Sequence, residues 1–460
     1  MKSYDAIIIG AGQAGPALAG RLTEAGQKVA LVERHRLGGT CVNTGCTPTK
    51  TLVASARMAH MARRAGDFGV DIGSDVSIDM KRVMKRARSV VSASRLGLET
   101  WLGGMENLTL LHGHARFSGQ RTLIVDESEI TAEKIFINVG GRPAIPPIKG
   151  INRIKYLTNA DMVRLERVPE HLIVLGGSYI GLEFAQMFAR FGARVTVIER
   201  GERLIGREDP EIGETARQIL EAEGVTVLTG ADCIGLAPHG DGLRATVRHA
   251  ADETVISGSD VLVALGRRPN TDDLGLERAG IAVDQRGYIT VDSFLETSVK
   301  GVYALGDCNG RGAFTHTAYN DHEIVAANLL NGGNRQVEDR VAGYALYIDP
   351  PLGRAGLSET EARKRGFNIS VSSRPMANVA RARERGETQG LMKLVADAET
   401  GRLLGGAIFG PGGDEAIHAL LNMISMGAQI ADLQWAVPVH PTVAELLPTL
   451  AGGLQSPASR

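Results

Sequence analysis

The sequence contains one nucleotide-binding pattern twice, and this repeat limits the possible folds more than any other feature. The first copy has an apolar, β-branched run, Tyr4–Gly10, which predicts a buried strand, followed by Gly10, Gly12 and Gly15, a helical pattern and a strand that ends at Glu33. The first two glycines let the backbone turn and approach a pyrophosphate, the third lets the helix pack on the strand, and the acid can accept from a ribose hydroxyl. The pattern predicts a unit that binds a dinucleotide.

The second copy begins at the predicted strand Leu172–Gly176. Gly176 and Gly181 hold the positions of the first and third glycines, Ser178 stands where the strict pattern has glycine, and a predicted strand ends at Glu199. The first glycine and the acid are 23 residues apart in both copies (33 − 10 and 199 − 176). Two such units predict two dinucleotides, one that gives electrons and one that takes them.

Cysteine usage points to chemistry rather than to crosslinking. The four cysteines are Cys41, Cys46, Cys233 and Cys308, fewer than a secreted disulfide scaffold of this length would use. Cys41 and Cys46 lie within six residues of chain, between the two nucleotide-binding patterns. We interpret this pair as a redox centre, and Cys233 and Cys308 as structural.

The residues after the second cysteine predict a helix that begins close to it. Thr47 is a candidate N-cap and Pro48 suits the first helical turn. Cys46 and Lys50 are four residues apart, so they share one face of that helix. Because a helix N-terminus and a nearby cation both stabilise a thiolate, the pattern predicts a reactive thiol at Cys46.

Length and charge exclude several classes of protein. A chain of 460 residues is long enough for two or three domains. Its net charge is −1 and it has no basic run, so nucleic acid and anionic membranes are not expected partners. The uncharged stretch Ala6–Gly20 is too short and too rich in glycine to span a bilayer. We therefore predict a cytoplasmic protein.

The segment Gly38–Lys50 resembles the active-site segment of the flavin disulfide reductases. These are the class I pyridine nucleotide-disulfide oxidoreductases, which include lipoamide dehydrogenase, glutathione reductase and mercuric reductase. The resemblance implies that Cys46 contacts FAD as a charge-transfer thiolate and that Cys41 exchanges with the substrate. It also implies that Thr40 and Lys50 lie in the flavin site.

Further motifs extend the resemblance over almost the whole chain. Thr297–Asp307 resembles the second flavin motif of the family, in which Gly306 and Asp307 bind the cofactor and the aspartate holds the ribityl chain. Gly266–Asn270 is similar to the turn that closes the nicotinamide domain, and the resemblance implies that Gly266 lies at the cofactor.

One residue within the second glycine pattern and one shortly after it match other site residues of the family. Glu183 matches the glutamate that pairs with the flavin-side lysine, here Lys50. Tyr179 matches a residue that gates the nicotinamide pocket in some members. A tyrosine at the start of a helix can also serve packing alone, so both interpretations of Tyr179 stay open.

From about residue 340 the pattern changes. Leu391–Ala396 and Leu403–Phe409 read as strands and Ala416–Met426 as an apolar-faced helix. This part of the chain resembles the dimerisation domain of the family.

A histidine and a glutamate stand near the end of that domain. The resemblance implies that His440 serves as acid and base for the interchange thiol, that Glu445 orients it, and that the partner subunit contributes the pair. Imidazole titrates near neutral pH, which suits this task. Because Thr442 and Glu445 also have the spacing of a capping box, Glu445 can serve either role or both.

These patterns and the resemblance predict an α/β chain with two Rossmann-like dinucleotide-binding domains and a C-terminal α+β dimerisation domain. The predicted divisions are 1–148 (FAD domain, first part), 149–269 (NAD(P) domain), 270–338 (FAD domain, second part) and 339–460 (dimerisation domain). The predicted assembly is a homodimer with shared active sites.

The predicted cofactors are FAD and a nicotinamide dinucleotide, with no resident metal. NADH is the preferred donor, because Glu199 would repel the 2′-phosphate of NADPH. Arg200 and Arg203 lie close by, so NADPH stays a weaker alternative.

The active-site segment also indicates a branch of the family. Thr44, Thr47 and Thr49 place it nearest the mercuric-reductase-like and reactive-chlorine-resistance branch. Mercuric reductases end in a vicinal cysteine pair, whereas no cysteine follows Cys308 here and the sequence ends in Gln455–Arg460. Efficient reduction of Hg(II) is therefore not expected.

The predicted activity is electron transfer from NAD(P)H through FAD and the Cys41–Cys46 disulfide to a small acceptor. Small disulfides, quinones, metal ions and oxidised halogen species all remain candidate acceptors. Two alternatives are a dihydrolipoyl dehydrogenase component of a larger complex and a flavin-bound redox sensor with little turnover.

Overall fold

The structure, a computed structural model, describes residues 1–73, 76–250 and 252–454. The strands of the first third are β1 (Lys2–Ile9), β2 (Val29–Glu33), β3 (Leu108–His112), β4 (Ala115–Phe117), β5 (Thr122–Val125), β6 (Ser128–Ile137) and β7 (Gly141–Pro143). Its helices are α1 (Ala14–Glu24), α2 (Gly39–Thr44), α3 (Cys46–Arg63) and α4 (Met80–Gly103).

The middle third begins with a helix and a strand. Its strands are β8 (His171–Leu175), β9 (Arg194–Ile198), β10 (Thr226–Leu228), β11 (Ala231–His239), β12 (Gly242–His249), β13 (Asp252–Gly258), β14 (Asp260–Val263) and β15 (Arg267–Pro269). Its helices are α5 (Asn159–Met162), α6 (Tyr179–Phe191), α7 (Pro210–Ala222) and α8 (Leu276–Ala279).

The last third alternates strands and short helices. Its strands are β16 (Val302–Ala304), β17 (Gly343–Leu346), β18 (Leu352–Gly356), β19 (Ile369–Pro375), β20 (Leu391–Asp397) and β21 (Leu403–Phe409). Its helices are α9 (Thr315–Asn331), α10 (Glu359–Lys364), α11 (Ala380–Glu384), α12 (Gly413–Ser425), α13 (Ile430–Gln434) and α14 (Leu447–Gly452).

Both glycine patterns follow strands that pair in parallel with their neighbours, which confirms the predicted fold class; in the first sheet β4 and β5 add an antiparallel edge. The first sheet has the strand order β3-β2-β1-β6-β5-β4, with β16 paired to β6, and the second has the order β10-β9-β8-β14. Every residue of β2 and of β8 is buried, as expected for strands covered on both faces. The structure shifts the first predicted strand from Tyr4–Gly10 to Lys2–Ile9 and gives Val29–Glu33 as predicted.

The chain leaves the first sheet at β7 and returns towards it at β15, and these two strands lie side by side. β7 pairs antiparallel with β15, with Arg142 opposite Arg268. After β15, Val302–Ala304 pairs with β6 and so belongs to the first sheet. The division at residues 148, 269 and 338 stays a prediction.

The C-terminal part is an antiparallel sheet with the order β17-β18-β21-β20-β19. The helix predicted at Ala416–Met426 is α12, which begins three residues earlier, after Gly412 in the left-handed region (φ 71°). Its apolar residues Ile417 and Leu420 pack with Ile408 of β21 in one buried cluster. In the described residues, no helix is long and apolar enough to cross a membrane.

A buried arginine joins the nicotinamide-side helix α6 to the C-terminal part. Arg190 donates to both carboxylate oxygens of Glu223 at 2.6 Å and to Asp349 Oδ2 at 2.6 Å. Its side chain is 5% exposed, so its charge depends on these two partners for compensation.

The variant Arg190→Met tests how much these ion pairs of Arg190 stabilise the protein. The variant leaves the mostly buried Glu223 without its arginine and Asp349 with Arg57 alone, which should cost about 3–5 kcal/mol of stability and lower the thermal melting midpoint by several degrees. Arg217→Met is the matched control, because Arg217 also pairs with two glutamates but on an exposed helix face, where ion pairs contribute little. Equal melting midpoints for the two variants would contradict the role of Arg190.

Candidate active site

The first glycine loop has no space for larger residues at two of its three glycines. Gly10 has φ of 102°, and a Cβ there would lie 2.4 Å from the carbonyl oxygen of Asn138. A Cβ on Gly15 would lie 2.2 Å from the carbonyl oxygen of Gly10, whereas one on Gly12 would come no closer than 3.4 Å to protein atoms. At Gly12 the structure therefore leaves room beside the loop, which fits the approach of a pyrophosphate.

The acid at the end of β2 fixes the shape of this loop. Glu33 Oε2 accepts from the backbone N–H of Ala11 at 2.9 Å, and Oε1 accepts from that of His35 at 2.8 Å. Each carboxylate oxygen keeps a further lone pair, which can accept from a ribose hydroxyl.

The second glycine loop repeats these contacts. Gly176 has φ of 107°, and a Cβ on Gly181 would lie 2.0 Å from the carbonyl oxygen of Gly176. Glu199 accepts from the backbone N–H of Gly177 and of Gly201, both at 2.6 Å. The two predicted ribose partners, Glu33 and Glu199, therefore hold equivalent positions in the two units.

A cavity of about 450 Å³ lies beside the first acid. It is lined by the residues that follow Glu33, by α4 and by β3, among them His35, Arg36, Glu99, Leu110 and His112. Its position next to the predicted ribose partner fits an adenine ring, so the residues present fit the adenosine half of FAD.

Asn138 is a site residue that the sequence did not reveal. Its side chain donates to the carbonyl oxygen of Gly10 at 3.1 Å, and a Cβ on Gly306 would lie 3.3 Å from its Oδ1. Asn138 thus links the first glycine loop to the second flavin motif. The only signal in the sequence was its place directly after the strand that pairs with β1.

The predicted ribityl partner lies next to this asparagine. Burial raises the pKa of Asp307, and Arg267 Nε lies 3.7 Å from its Oδ2. Gly266, which precedes that arginine, has φ of 110° and turns the chain into β15. The turn at residues 266–270 therefore reaches the flavin motif, as well as closing the second sheet.

The two cysteines lie on consecutive helices that meet at Gly45. Cys41 is in α2, and Cys46 is the first residue of α3. The predicted N-cap at Thr47 is wrong: Gly45 is the N-cap, and Pro48 is the third helical residue. The reason is steric, because a Cβ on Gly45 would lie 2.9 Å from the carbonyl oxygen of Thr40, so only glycine allows the sharp break there.

Both cysteines of the pair are free in the structure, and the Cys41 thiol acts on the pKa of Cys46 as a hydrogen-bond donor. Thr315, at the start of α9, has its hydroxyl 3.3 Å from Cys46 Sγ. Sequence reasoning missed Thr315, because it is 269 residues from the thiol that it contacts.

The thiol pair is electrostatically unequal. The hydrogen bond from Cys41, together with the Thr315 hydroxyl and the charge of Lys50, lowers the pKa of Cys46 from 9.0 to about 6. The hydrogen bond to Cys46, and then burial, raises the pKa of Cys41 far above its usual range. The two shifts favour the proton on Cys41 and the negative charge on Cys46.

The predicted ion pair beside the thiols is present. Lys50 Nζ lies 2.9 and 2.7 Å from the two oxygens of Glu183, whose side chain is 6% exposed. Glu183 also accepts from the backbone N–H of Tyr347 at 3.1 Å, and the Tyr347 ring lies 4.5 Å from Lys50 Nζ. This positions the ammonium group where it can stabilise the Cys46 thiolate.

The predicted acid–base pair is preformed but does not reach the thiols of its own chain. His440 Nδ1 lies 2.8 Å from Glu445 Oε2, and the same oxygen accepts from the backbone N–H of Thr442 at 3.1 Å. Glu445 therefore both orients His440 and caps the following turn. The His440 side chain is 75% exposed, and within the described residues no hydrogen bond or ion pair connects it to Cys41 or Cys46.

Tyr179, which matches a residue at the nicotinamide pocket of some family members, is the first residue of α6. Its hydroxyl donates to Glu208 Oε1 at 2.9 Å, and its ring packs edge-on against Phe314, the residue before Thr315. Its place between the second glycine loop and the thiols agrees with a nicotinamide-side position.

These parts together define a class: an oxidoreductase that combines two dinucleotide sites with a thiol pair. A family model described as pyridine nucleotide-disulphide oxidoreductase matches residues 4–321, and the model of the dimerisation domain of the same family matches residues 343–451. The chain belongs to the pyridine nucleotide-disulphide oxidoreductase family. FAD and a pyridine nucleotide are the cofactors expected for it, and the second match indicates a homodimer.

Known relatives cover the chain almost completely. The probable pyridine nucleotide-disulfide oxidoreductase RclA of Escherichia coli is 36% identical over 97% of this chain and 98% of its own. A dihydrolipoyl dehydrogenase of Thermus scotoductus is 36% identical over 100% and 99%, and a mercuric reductase of Lysinibacillus sphaericus is 32% identical over 96% and 81%.

A solved structure of the E. coli protein, described as an HOCl-induced flavoprotein disulfide reductase, matches with a TM-score of 0.89 and 35% identity. It covers 98% of this chain and 99% of its own. A second structure of that protein is its Cu(II) complex, with the same TM-score.

The pH dependence of a thiolate–flavin absorption band tests the hydrogen bond between the cysteines. In FAD-loaded Cys41→Ser, the serine hydroxyl can still donate to Cys46, so the pKa of Cys46 should stay below the usual value of a cysteine, and the long-wavelength band of the thiolate should disappear as the pH falls through it. Cys41→Ala removes the donor and should move the midpoint to higher pH. Cys46→Ser should show no band at any pH, and equal midpoints for the serine and alanine variants would contradict the assigned hydrogen bond.

Proposed function

We propose that the protein transfers two electrons from a nicotinamide dinucleotide through FAD to the Cys41–Cys46 disulfide and from there to a small acceptor. The observation that carries this proposal is the unequal thiol pair, with Cys46 held as a thiolate beside Lys50 and Thr315. FAD, when bound, would supply the two-electron relay between the nicotinamide and the thiol pair.

The residues that would hold FAD are those of the first unit. Gly10, Gly12 and Gly15 form the loop for the pyrophosphate, Glu33 accepts from the ribose, and Asp307 follows Gly306, which lies against Asn138 at the second motif. Thr40 is in α2, directly before Cys41, and its carbonyl oxygen packs against Gly45.

The two cysteines take different roles with a disulfide acceptor. Cys41, once deprotonated, attacks one acceptor sulfur, forms a mixed disulfide and releases the first acceptor thiol. The Cys46 thiolate then attacks the Cys41 sulfur, releases the second thiol and restores the Cys41–Cys46 disulfide. The acceptor gains two electrons and two protons in all.

The raised pKa of Cys41 explains why an additional base is needed. A thiol that donates its proton to a neighbouring thiolate is a poor nucleophile. His440, oriented by Glu445, can take that proton and later give it to the leaving thiol. Two observations support the proposal that the partner subunit supplies this imidazole: the match to the dimerisation domain of the family, and the lack, in the described residues, of a hydrogen bond or ion pair between His440 and Cys41 of one chain.

The descriptions of the relatives support metal ions as further candidate acceptors for this protein. The E. coli relative is described as HOCl-induced and forms a Cu(II) complex, and mercuric reductases are also similar to this chain. A thiol pair that closes to a disulfide releases two electrons, enough to reduce two Cu(II) ions to Cu(I). We therefore place Cu(II) beside small disulfides as a candidate acceptor.

A second candidate function is dihydrolipoyl dehydrogenase. It is supported by the relative from Thermus scotoductus at 36% identity and by the preformed contact between His440 and Glu445. This activity uses the same thiol chemistry with dihydrolipoamide as the reductant and NAD⁺ as the final acceptor.

The proposed donor is NADH. Glu199 is bound to the second glycine loop just as Glu33 is bound to the first, so its carboxylate lies where the adenosine ribose would bind. A 2′-phosphate at that place would meet a negative charge, which disfavours NADPH.

A steady-state screen of the FAD-loaded protein tests the function. Oxidation of NADH is followed with lipoamide, a small disulfide, Cu(II) and Hg(II), and each assay is repeated with NADPH. We expect turnover with at least one acceptor, lost in both Cys41→Ser and Cys46→Ser, and a kcat/KM for NADH at least about tenfold above that for NADPH, or 1.4 kcal/mol. Turnover that survives both cysteine substitutions would show that electrons leave the flavin directly and would contradict the proposal.

Mixed dimers test whether the active site is shared. Cys41→Ser and His440→Ala subunits should each be inactive alone, but a heterodimer of the two carries both lesions in one site and none in the other. With random exchange half of the dimers are mixed, so about a quarter of wild-type activity should return.

The matched control mixes Cys41→Ser with Cys46→Ser subunits. Each site of that heterodimer lacks one cysteine, so no activity should return, although differential tags show the same degree of exchange. Tagged Cys41→Ser/His440→Ala heterodimers that form and remain inactive would contradict the shared site.

A further inference from the structure

A buried ionic cluster connects the nicotinamide-side tyrosine to the C-terminal sheet. Tyr179 donates to Glu208 Oε1 at 2.9 Å, and Arg354 of β18 donates to Glu208 Oε2 through Nε at 2.9 Å and Nη2 at 2.5 Å. The side chains of Glu208 and Arg354 are both completely buried. Hydrogen bonds to a charged, buried partner are among the stronger ones in proteins.

The tyrosine in this cluster lies between the two reactive parts of the molecule. Tyr179 follows Ser178, the residue in the middle of the second glycine loop. On its other side its ring lies 6.4 Å from that of Phe314, whose neighbour Thr315 contacts Cys46 at 3.3 Å. A ring at this place borders the path from the nicotinamide loop to the thiol pair.

The loop that carries Glu208 is strained at one residue. Ile205 has φ of 41°, a left-handed conformation that is rare for a β-branched residue and costs free energy. In that conformation its N–H donates to the carbonyl oxygen of Gly177 at 2.8 Å, and its carbonyl oxygen accepts from the N–H of Glu208 at 2.8 Å. The strained residue therefore joins the glycine loop directly to the glutamate that binds Tyr179.

We propose that Glu208 and Arg354 are positioning residues that hold Tyr179 as a fixed wall of the nicotinamide site. This inference rests on the proposed binding of the nicotinamide at the second glycine loop. A swinging tyrosine would have to break its hydrogen bond to a buried carboxylate each time it moved. A tyrosine without that bond would be in place in only a fraction of the molecules, and the apparent affinity for the dinucleotide would fall by the same fraction.

The cluster contains its own matched control. Tyr344 of β17 donates to the same oxygen, Glu208 Oε1, at 2.8 Å, but it belongs to the C-terminal sheet and not to the glycine loop. Tyr179→Phe and Tyr344→Phe each remove one hydroxyl, keep the ring and leave Glu208 bonded to Arg354 and to the other tyrosine. If the cluster contributes only to the stability of the fold, the two variants should therefore show equal changes in NAD⁺ affinity.

The experiment compares the binding of NAD⁺ to the oxidised, FAD-loaded dimer of wild type, Tyr179→Phe and Tyr344→Phe by titration calorimetry, with melting midpoints measured in parallel. We expect Tyr179→Phe to bind NAD⁺ about tenfold more weakly, with a raised KM for NADH and an unchanged rate of the thiol half-reaction. Tyr344→Phe keeps its ring 5.8 Å from that of Tyr179 and leaves the bond from Tyr179 to Glu208 intact, so it should stay within about twofold of wild type.

Three outcomes would overturn the positioning role. Equal affinities of the two variants for NAD⁺ would show that the cluster contributes only to the stability of the fold. Tighter binding of NAD⁺ by Tyr179→Phe than by the wild type would show that the tyrosine hydroxyl holds a gate closed. A wild-type protein that neither binds NAD⁺ nor oxidises NADH or NADPH would refute the proposed function and this inference together. If the wild type binds NAD⁺ normally and Tyr179→Phe binds it no more weakly than Tyr344→Phe does, the inference alone is refuted.

Discussion

Both glycine loops depend on one interaction: a carboxylate at the end of the next strand accepts the backbone N–H of the second loop residue. Glu33 makes this bond to Ala11 and Glu199 makes it to Gly177. A loop of glycines has no side chains to hold its shape, and glycine loses more conformational freedom on folding than other residues. The carboxylates supply the missing constraint, and so the acid of this pattern is part of the loop's structure before it contacts any ligand.

The thiol centre depends on residues that lie far apart in the chain. Lys50 shares its helix with Cys46, but Glu183, Thr315 and Tyr347 come from three later segments, and each contacts the lysine, the glutamate or the thiol. The pKa of Cys46 is therefore a property of the assembled molecule. A change in the packing of α6 or α9 against α3 would alter the chemistry of the thiolate without touching either cysteine.

The sequence was sufficient for features that depend on local spacing. The two strand–glycine–helix–strand units and the contact of Glu445 with Thr442 follow from such spacing. The pairing of Lys50 with Glu183, 133 residues apart, and the contact of Glu445 with His440 were implied by the resemblance to the family and not by spacing. The N-cap at Thr47 was wrong because the break at Gly45 is set by a steric contact with Thr40, which propensity does not encode. Asn138, Thr315 and the cluster of Glu208 with Arg354 escaped prediction because their partners are 128, 269 and 146 residues away.

The pairing of β7 with β15 has a consequence for how such a chain can change. Arg142 and Arg268 are neighbours across this two-stranded ribbon, although the whole of the second parallel sheet lies between them in sequence. An insertion whose two ends are hydrogen-bonded to each other can be exchanged as one piece, because the host sheet keeps its strand order whatever the piece contains. The segment between β7 and β15 can in this sense be replaced as a unit, because the two-stranded ribbon is its attachment to the rest of the chain.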